Sequence, residues 1–228
     1  MSAFEPISLD RGRQAAPQVF EQLREMIVNL DFPPGITLIR TELMARFGVS
    51  QTPIRDALMR LAEEGLVDVF PQNATLVSRI DIAMAEQAHF LRRSVELEIV
   101  EKLARRPERD FIQTMLVFLA RQRAALEQGD LAQFTANDGL FHRSMYEAAG
   151  VAGLWSLIRS RSGHIDRLRR LHLPDEGKAK AILSDHQDIV DAIARGRVQL
   201  AREALQHHLS GTLAHIEIIQ ERFPEYMK

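Results

Sequence analysis

The stretch Glu42-Leu43-Met44-Ala45-Arg46-Phe47-Gly48-Val49-Ser50-Gln51-Thr52-Pro53-Ile54-Arg55-Asp56-Ala57-Leu58 constrains the fold more than any other segment of this 228-residue chain. Leu43 and Phe47 form one apolar face; Ile54, Leu58 and Leu61 form another at helical spacing. Gly48-Val49 supplies a tight turn between them, and Ser50 is placed to cap the second helix. Pro53 is tolerated in the first turn, where backbone N–H groups have no intrahelical partner to lose. The pattern predicts a helix-turn-helix whose second helix opens with polar residues able to reach base edges.

The surrounding sequence predicts helices over 15–29, 41–47 and 51–64. Two short strands follow, Leu66 to Phe70 and Thr75 to Ser78, around a Pro71-Gln72-Asn73 turn, and they would supply a wing. Asp81 can cap the next helix. Beyond it only helices are expected, at 82–105, 109–128, 131–148, 152–171, 176–194 and 198–221, separated by Gly- and Pro-marked breaks. Stripes such as Leu91, Val95, Ile99 and Leu103 give each helix one apolar face. The expected fold is mainly α: a winged helix-turn-helix domain over 1–79, then an all-α antiparallel bundle of about six helices over 80–228.

Charge narrows the function without fixing it. The 29 Lys and Arg against 31 Asp and Glu exclude a protein that finds its partner through a strongly basic surface. Nucleic acid stays open, because a small local patch suffices to position a reading element. Cys is absent, which removes disulfides, thiolate metal sites and thiol nucleophiles. The N-terminus lacks a basic segment followed by an apolar one, and no apolar run reaches the ~18 residues of a membrane span. A cytoplasmic protein with no membrane partner is expected.

The eight His are the main chemical resource. On the helix over 131–148, Leu131, Phe134, Phe141 and Met145 make the apolar stripe, with Asp138 near its middle and His142 towards its edge. A carboxylate in that position requires a partner. His186 lies near the centre of the stripe Ala179, Ile182, Leu183, Val190 and Ile193. His208 falls at the margin of the inward face of the last helix, and His207 points away. One Asp and three His facing one interior suit Zn, Ni, Mn or Fe; hydrogen-bonded core histidines are the alternative. His89, His164, His172 and His215 carry no such pattern and read as surface or core residues.

Three segments resemble the winged-helix domain of the GntR superfamily of bacterial transcription regulators. They are Phe32-Pro33-Pro34-Gly35, Val49 to Leu58, and Leu61-Ala62-Glu63-Glu64-Gly65-Leu66-Val67. The resemblance implies DNA contacts from Ser50, Gln51, Thr52 and Arg55, with Thr41 matching a further contact position. Two departures stand out: Gln51 where the family usually has Arg, and Ala74 in the wing where it usually has Gly.

The later segments Asn137 to His142, Asp185 to Ile193 and Ala201 to Leu209 resemble the all-helical effector domain called FCD, of the FadR-like branch. In its metal-containing members one Asp and three His occupy the positions of Asp138, His142, His186 and His208. Positions left open on the metal are taken in that family by water or a small organic acid. Arg92 and Glu96 match the family's Arg and Glu on the first bundle helix; Arg92 is placed either to clamp a carboxylate or, as a salt-bridged or solvated arginine, to pair with Glu96 four residues on.

These features predict a DNA-binding transcription regulator, a repressor in the commoner family arrangement, and not an enzyme. As a homodimer it would bind a pseudo-palindromic operator and respond to a small organic acid beside a divalent metal. A metal sensor without organic effector is the first alternative. A metalloenzyme is the second, against which stand the helix-turn-helix and the want of a clear general base. A response to fatty acyl-CoA, as in some relatives, is disfavoured by the complete Asp and His set.

Overall fold

A computed structural model describes residues 6–70 and 74–228. Helix α1 (Ala15–Val28) turns Val19, Phe20, Leu23 and Ile27 onto one buried face. It packs on α3 (Gln51–Glu63), whose buried face is Ile54, Ala57, Leu58 and Leu61. Between them in sequence, α2 (Arg40–Phe47) buries Leu43 and Phe47 and stops at Gly48, which adopts φ 62°. That left-handed backbone suits glycine and ends the helix cleanly. Ser50 sits at the N-cap of α3 in extended backbone, but its side chain makes no capping hydrogen bond. The expected position holds and the expected bond does not form.

Strands β1 (Val67–Val69) and β2 (Thr75–Val77) pair antiparallel, Val67 opposite Val77 and Val69 opposite Thr75. The expected Pro71-Gln72-Asn73 turn lies outside the described residues. A segment not anticipated as extended, 35–38, adds to the other side of β2. Gly35 N donates to Val77 O at 2.8 Å, and Leu38 N donates to Thr75 O at 2.7 Å. Asp81 caps α4 (Ile82–Arg105) as expected, its Oδ1 accepting from Met84 N at 3.1 Å.

Helices α5 (Arg109–Glu127), α6 (Leu131–Ala148), α7 (Gly153–Arg161), α8 (Gly163–His172), α9 (Lys178–Ala194), α10 (Val198–Ser210) and α11 (Ile216–Arg222) complete the chain. Two of the six expected helices are therefore split. The one expected over 152–171 breaks at Ser162, whose N–H bonds Arg159 O three residues back, as in a 3₁₀ turn. The one expected over 198–221 breaks after Ser210 and passes through a 3₁₀ turn, Leu213–His215. Among the described residues no helix is long and apolar enough to cross a membrane.

The chain divides into two compact units: Met1–Ala85 with Gly163–Arg170 and Gln220–Lys228, and Glu86–Ser162 with Leu171–Ile219. The first is built on Val19, Leu23, Ile27, Ile54, Leu61, Leu66 and Val77. Within it, fully buried Arg167 donates to Ser78 O at 2.6 Å. Ile80 N donates to Tyr226 O at 2.8 Å, and Lys228 N to Ile80 O at 3.0 Å, so residues 226–228 tie down the segment leading into α4. In the second unit α5, α6, α9 and α10 pack around Met115, Phe141, Met145, Ile189, Ile193, Leu205 and Leu209.

Candidate metal centre and helix-turn-helix

Three helices of the second unit bring the expected ligand residues together. α6 contributes Asp138 and His142, α9 contributes His186, and α10 contributes His208. One ligand atom from each lies within 4.8 Å of all the others. His142 Nε2 is 3.1 Å from His208 Nε2, and His186 Nε2 is 3.3 Å from the same atom. Asp138 Oδ1 stands 3.5 Å from His186 Nε2.

The order of burial on α6 differs from the expectation. His142 is fully buried, whereas the Asp138 side chain keeps 28% of its exposure. The buried face of α6 includes His142 and Tyr146, and both meet Glu96 of α4. Glu96 is itself fully buried, with Oε2 3.0 Å from His142 Nδ1. Its other oxygen accepts from Arg92 Nε at 2.6 Å and from Tyr146 OH at 3.1 Å. Burial pushes the Glu96 carboxyl up, but Arg92 and His142 together outweigh it and hold the group below the usual carboxylate range. Arg92 is thus ion-paired with Glu96, and it also feels the Asp138 carboxylate.

The other two imidazoles have partners of their own. His186 Nδ1 is 2.8 Å from Gln122 Oε1 on α5, and the ring stacks on Phe141 with centroids 4.1 Å apart. His208 Nδ1 is 3.6 Å from Asp185 Oδ2. Exposed His207 faces Asp185 Oδ1, on the outer side as expected. Burial first, then His208, pushes the His186 imidazole well below its ordinary pKa, so it is neutral at pH 7.

The donor set itself fits a divalent ion. A carboxylate faces Nδ1 of His142 and an amide oxygen faces Nδ1 of His186, and each accepts from an N–H on that nitrogen. Both Nε2 atoms are then lone pairs, aimed at a third nitrogen and at the Asp138 carboxylate. One N–H on His208 cannot serve two lone pairs at once, whereas one cation serves all four groups. Sequence reasoning missed Gln122, Asp185 and Tyr146. Gln122 left a signal: it lies three residues after Leu119 and four before Leu126, a polar residue inside the α5 stripe.

In the first unit, Thr41 near the start of α2 and Ser50, Gln51, Thr52 and Arg55 at the start of α3 are all exposed. They line the entry of one helix and the first turn of the next. Arg55 is held loosely to Asp56 at 3.3 Å, with both side chains largely in solvent. Such a pair is worth little and leaves the guanidinium free to be recruited elsewhere. Ala74 is half-buried beside β2. The remaining histidines divide: His89, His164 and His172 are buried, and His215 is exposed.

Residues 15–77 match the family described as bacterial regulatory proteins, gntR family, and residues 87–211 match the FCD domain. An HTH-type transcriptional regulator in an unstable DNA locus of Streptomyces ambofaciens is 36% identical over 214 residues, covering 94% of this chain and 90% of that protein. The HTH-type transcriptional repressor RspR of Escherichia coli (strain K12) is 28% identical over 192 residues, 84% of each chain. Among solved structures, E. coli McbR/YncC superposes with a TM-score of 0.77 at 20% identity, covering 92% of this chain and 99% of that one. A GntR regulator from Rhodococcus sp. RHA1 gives 0.72 at 21% identity, over 88% and 96%. At those identities the two structures speak for the fold alone.

Proposed function

This chain belongs to the GntR family of bacterial regulatory proteins and carries an FCD domain, and from that premise we propose a repressor controlled by a small organic acid bound beside a divalent metal. It is a transcription regulator, not an enzyme. Asp138, His142, His186 and His208 hold the ion, which is Zn, Ni, Mn or Fe by its nitrogen and oxygen donors. When bound, the ion supplies an electrophilic centre for a carboxylate. Arg92, ion-paired with Glu96, would be the cation nearest to that carboxylate. The convergence of three imidazole Nε2 atoms and one carboxylate on a single point is the observation that carries the reading.

The DNA-binding domain is placed at 1–79 and the effector and dimerisation domain at 80–228, a division supported by the two family matches. In the cytoplasm, two copies bind a pseudo-palindromic double-stranded operator through Thr41, Ser50, Gln51, Thr52 and Arg55, one α3 per half-site. The repressor sign is supported by relatives described as repressors. The organic acid acts by binding two arrangements of the reading heads with different affinity, as any allosteric ligand must.

Metal analysis of the purified chain, followed by thermal shift with sugar acids, dicarboxylates and aromatic acids, tests it. A bound transition ion and a shift lost in both Asp138→Ala and His142→Ala are expected. If both variants keep the metal content and the shift of the parent chain, the site assignment is wrong.

A further inference from the structure

Gln122 is fully buried on α5, between Leu119 and Leu126 in a stripe that otherwise packs apolar side chains. Its Oε1 lies 2.8 Å from His186 Nδ1, while its Nε2 has no hydrogen-bond partner among the described residues. A buried amide with half its capacity unmet is a liability that Leu or Met at this place would not carry. The single contact it makes therefore calls for an explanation beyond packing.

That explanation lies in the two nitrogens of one ring. Stacking on Phe141 fixes the plane of the His186 imidazole but is indifferent to where its proton sits. An amide oxygen at Nδ1 is not indifferent, because it accepts only from an N–H. We propose that Gln122 is a positioning residue for His186: it holds the Nδ1–H tautomer and so keeps the lone pair on Nε2. That nitrogen is the one 3.3 Å from His208 Nε2 and 3.5 Å from Asp138 Oδ1. The inference rests on the assignment of those residues as metal ligands. Glu96 holds His142 in the same way with a charged acceptor. The site thus uses one charged and one neutral orienting group, which limits the negative charge beside the proposed organic-acid ligand.

The test uses the full chain, Gln122→Met and Gln122→Glu. Zn²⁺ affinity is measured by competition with a chelator, and the tautomer of His186 by ring ¹⁵N NMR of the metal-free protein. Met keeps the volume and removes the acceptor; Glu keeps the acceptor. Gln122→Met should bind Zn²⁺ about 10–100-fold more weakly, the usual cost of losing such a partner. Its metal-free melting temperature should be equal or higher, since the unmet amide is gone. Gln122→Glu should restore Zn²⁺ binding to within a few-fold of the parent chain.

Unaltered Zn²⁺ affinity in Gln122→Met, or equal weakening in both variants, overturns the proposal while leaving the metal assignment standing. A parent chain that binds no Zn²⁺, Ni²⁺ or Mn²⁺ removes the metal assignment and this proposal with it. Should Gln122→Met fail to fold, the NMR of the parent chain still decides: an Nε2–H tautomer at His186 is incompatible with the role given to Gln122.

Discussion

His164 is a buried imidazole whose only ring acceptor is already engaged. Its Nδ1 accepts from Asp81 N at 3.0 Å and lies 3.0 Å from the Arg167 guanidinium, so that nitrogen has no place for a proton. Burial first, and then Arg167, lowers its pKa from 6.5 to about 4. The unfolded chain takes up this proton near pH 6.5, and the folded chain resists until about pH 4. Between those values the unfolded state binds more protons, so stability falls as pH falls through the window. The loss reaches about 2 kcal/mol by pH 5. His164→Asn offers an amide oxygen to the same donors and cannot titrate. Melting followed from pH 7 to 5 with chelator present should fall more steeply for the parent chain than for His164→Asn; parallel curves would reject this account. Gln51 supports a second prediction at the same scale. Arg pairs with guanine O6 and N7, whereas Gln pairs with adenine N6 and N7. A binding selection should therefore show reduced dependence on guanine opposite Gln51, and an obligatory guanine there would remove the idea.

Two helical glycines separate propensity from packing. A Cβ on Gly139 of α6 would meet nothing within 4 Å, so Gly139→Ala should gain the helix preference of alanine, about 1 kcal/mol. A Cβ on Gly163 of α8 would stand 2.6 Å from Leu66 Cδ2 and 3.1 Å from its Cγ, and Leu66 is fully buried. Overpacking of that kind costs about 1–3 kcal/mol and outweighs the same propensity gain. Thermal melts of the two variants should move in opposite directions; a rise for Gly163→Ala would show that Leu66 has room to yield. This contact also explains what the sequence concealed. The elements around the helix-turn-helix were legible because their causes are local: a Gly at φ 62°, a run of apolar residues at helical spacing, a capping Asp. The close approach of Gly163, at the start of α8, to Leu66 was not, because it joins residues almost a hundred positions apart. Likewise the four residues of the candidate metal centre could be named from stripe and motif, yet periodicity put Asp138 inside and His142 at the edge. The contact of His142 with Glu96 on another helix, and the burial that goes with it, leave no mark in the periodicity of α6. Gln122 was visible as an interruption in a stripe and had no meaning until His186 lay beside it.

At the scale of the molecule the charge balance becomes a constraint on how DNA is bound. Residues 1–80 carry 8 Lys and Arg against 10 Asp and Glu, which leaves 21 of each sign in the remainder. A reading head with no net positive charge neutralises few phosphates, so it gains little from counterion release and little from non-specific attraction. Its affinity would then rest on the small set of proposed contacts, Thr41, Ser50, Gln51, Thr52 and Arg55 at an exposed helix entry, with Arg55 the one cation among them. Under the proposed pairing of two copies, those contacts are doubled by symmetry, and the second head binds at the high effective concentration set by the first. Two consequences separate this from a single head gripping DNA by charge. A duplex bearing one half-site should bind far more weakly than the full operator, by at least ~100-fold on the avidity expected of linked sites. Binding to unrelated duplex should also fade at a salt concentration where operator binding persists. Fluorescence anisotropy on full-site, half-site and scrambled duplexes across a salt series reads both. Equal affinity for half-site and full site would mean that one head suffices, and the dimeric operator model would have to be abandoned.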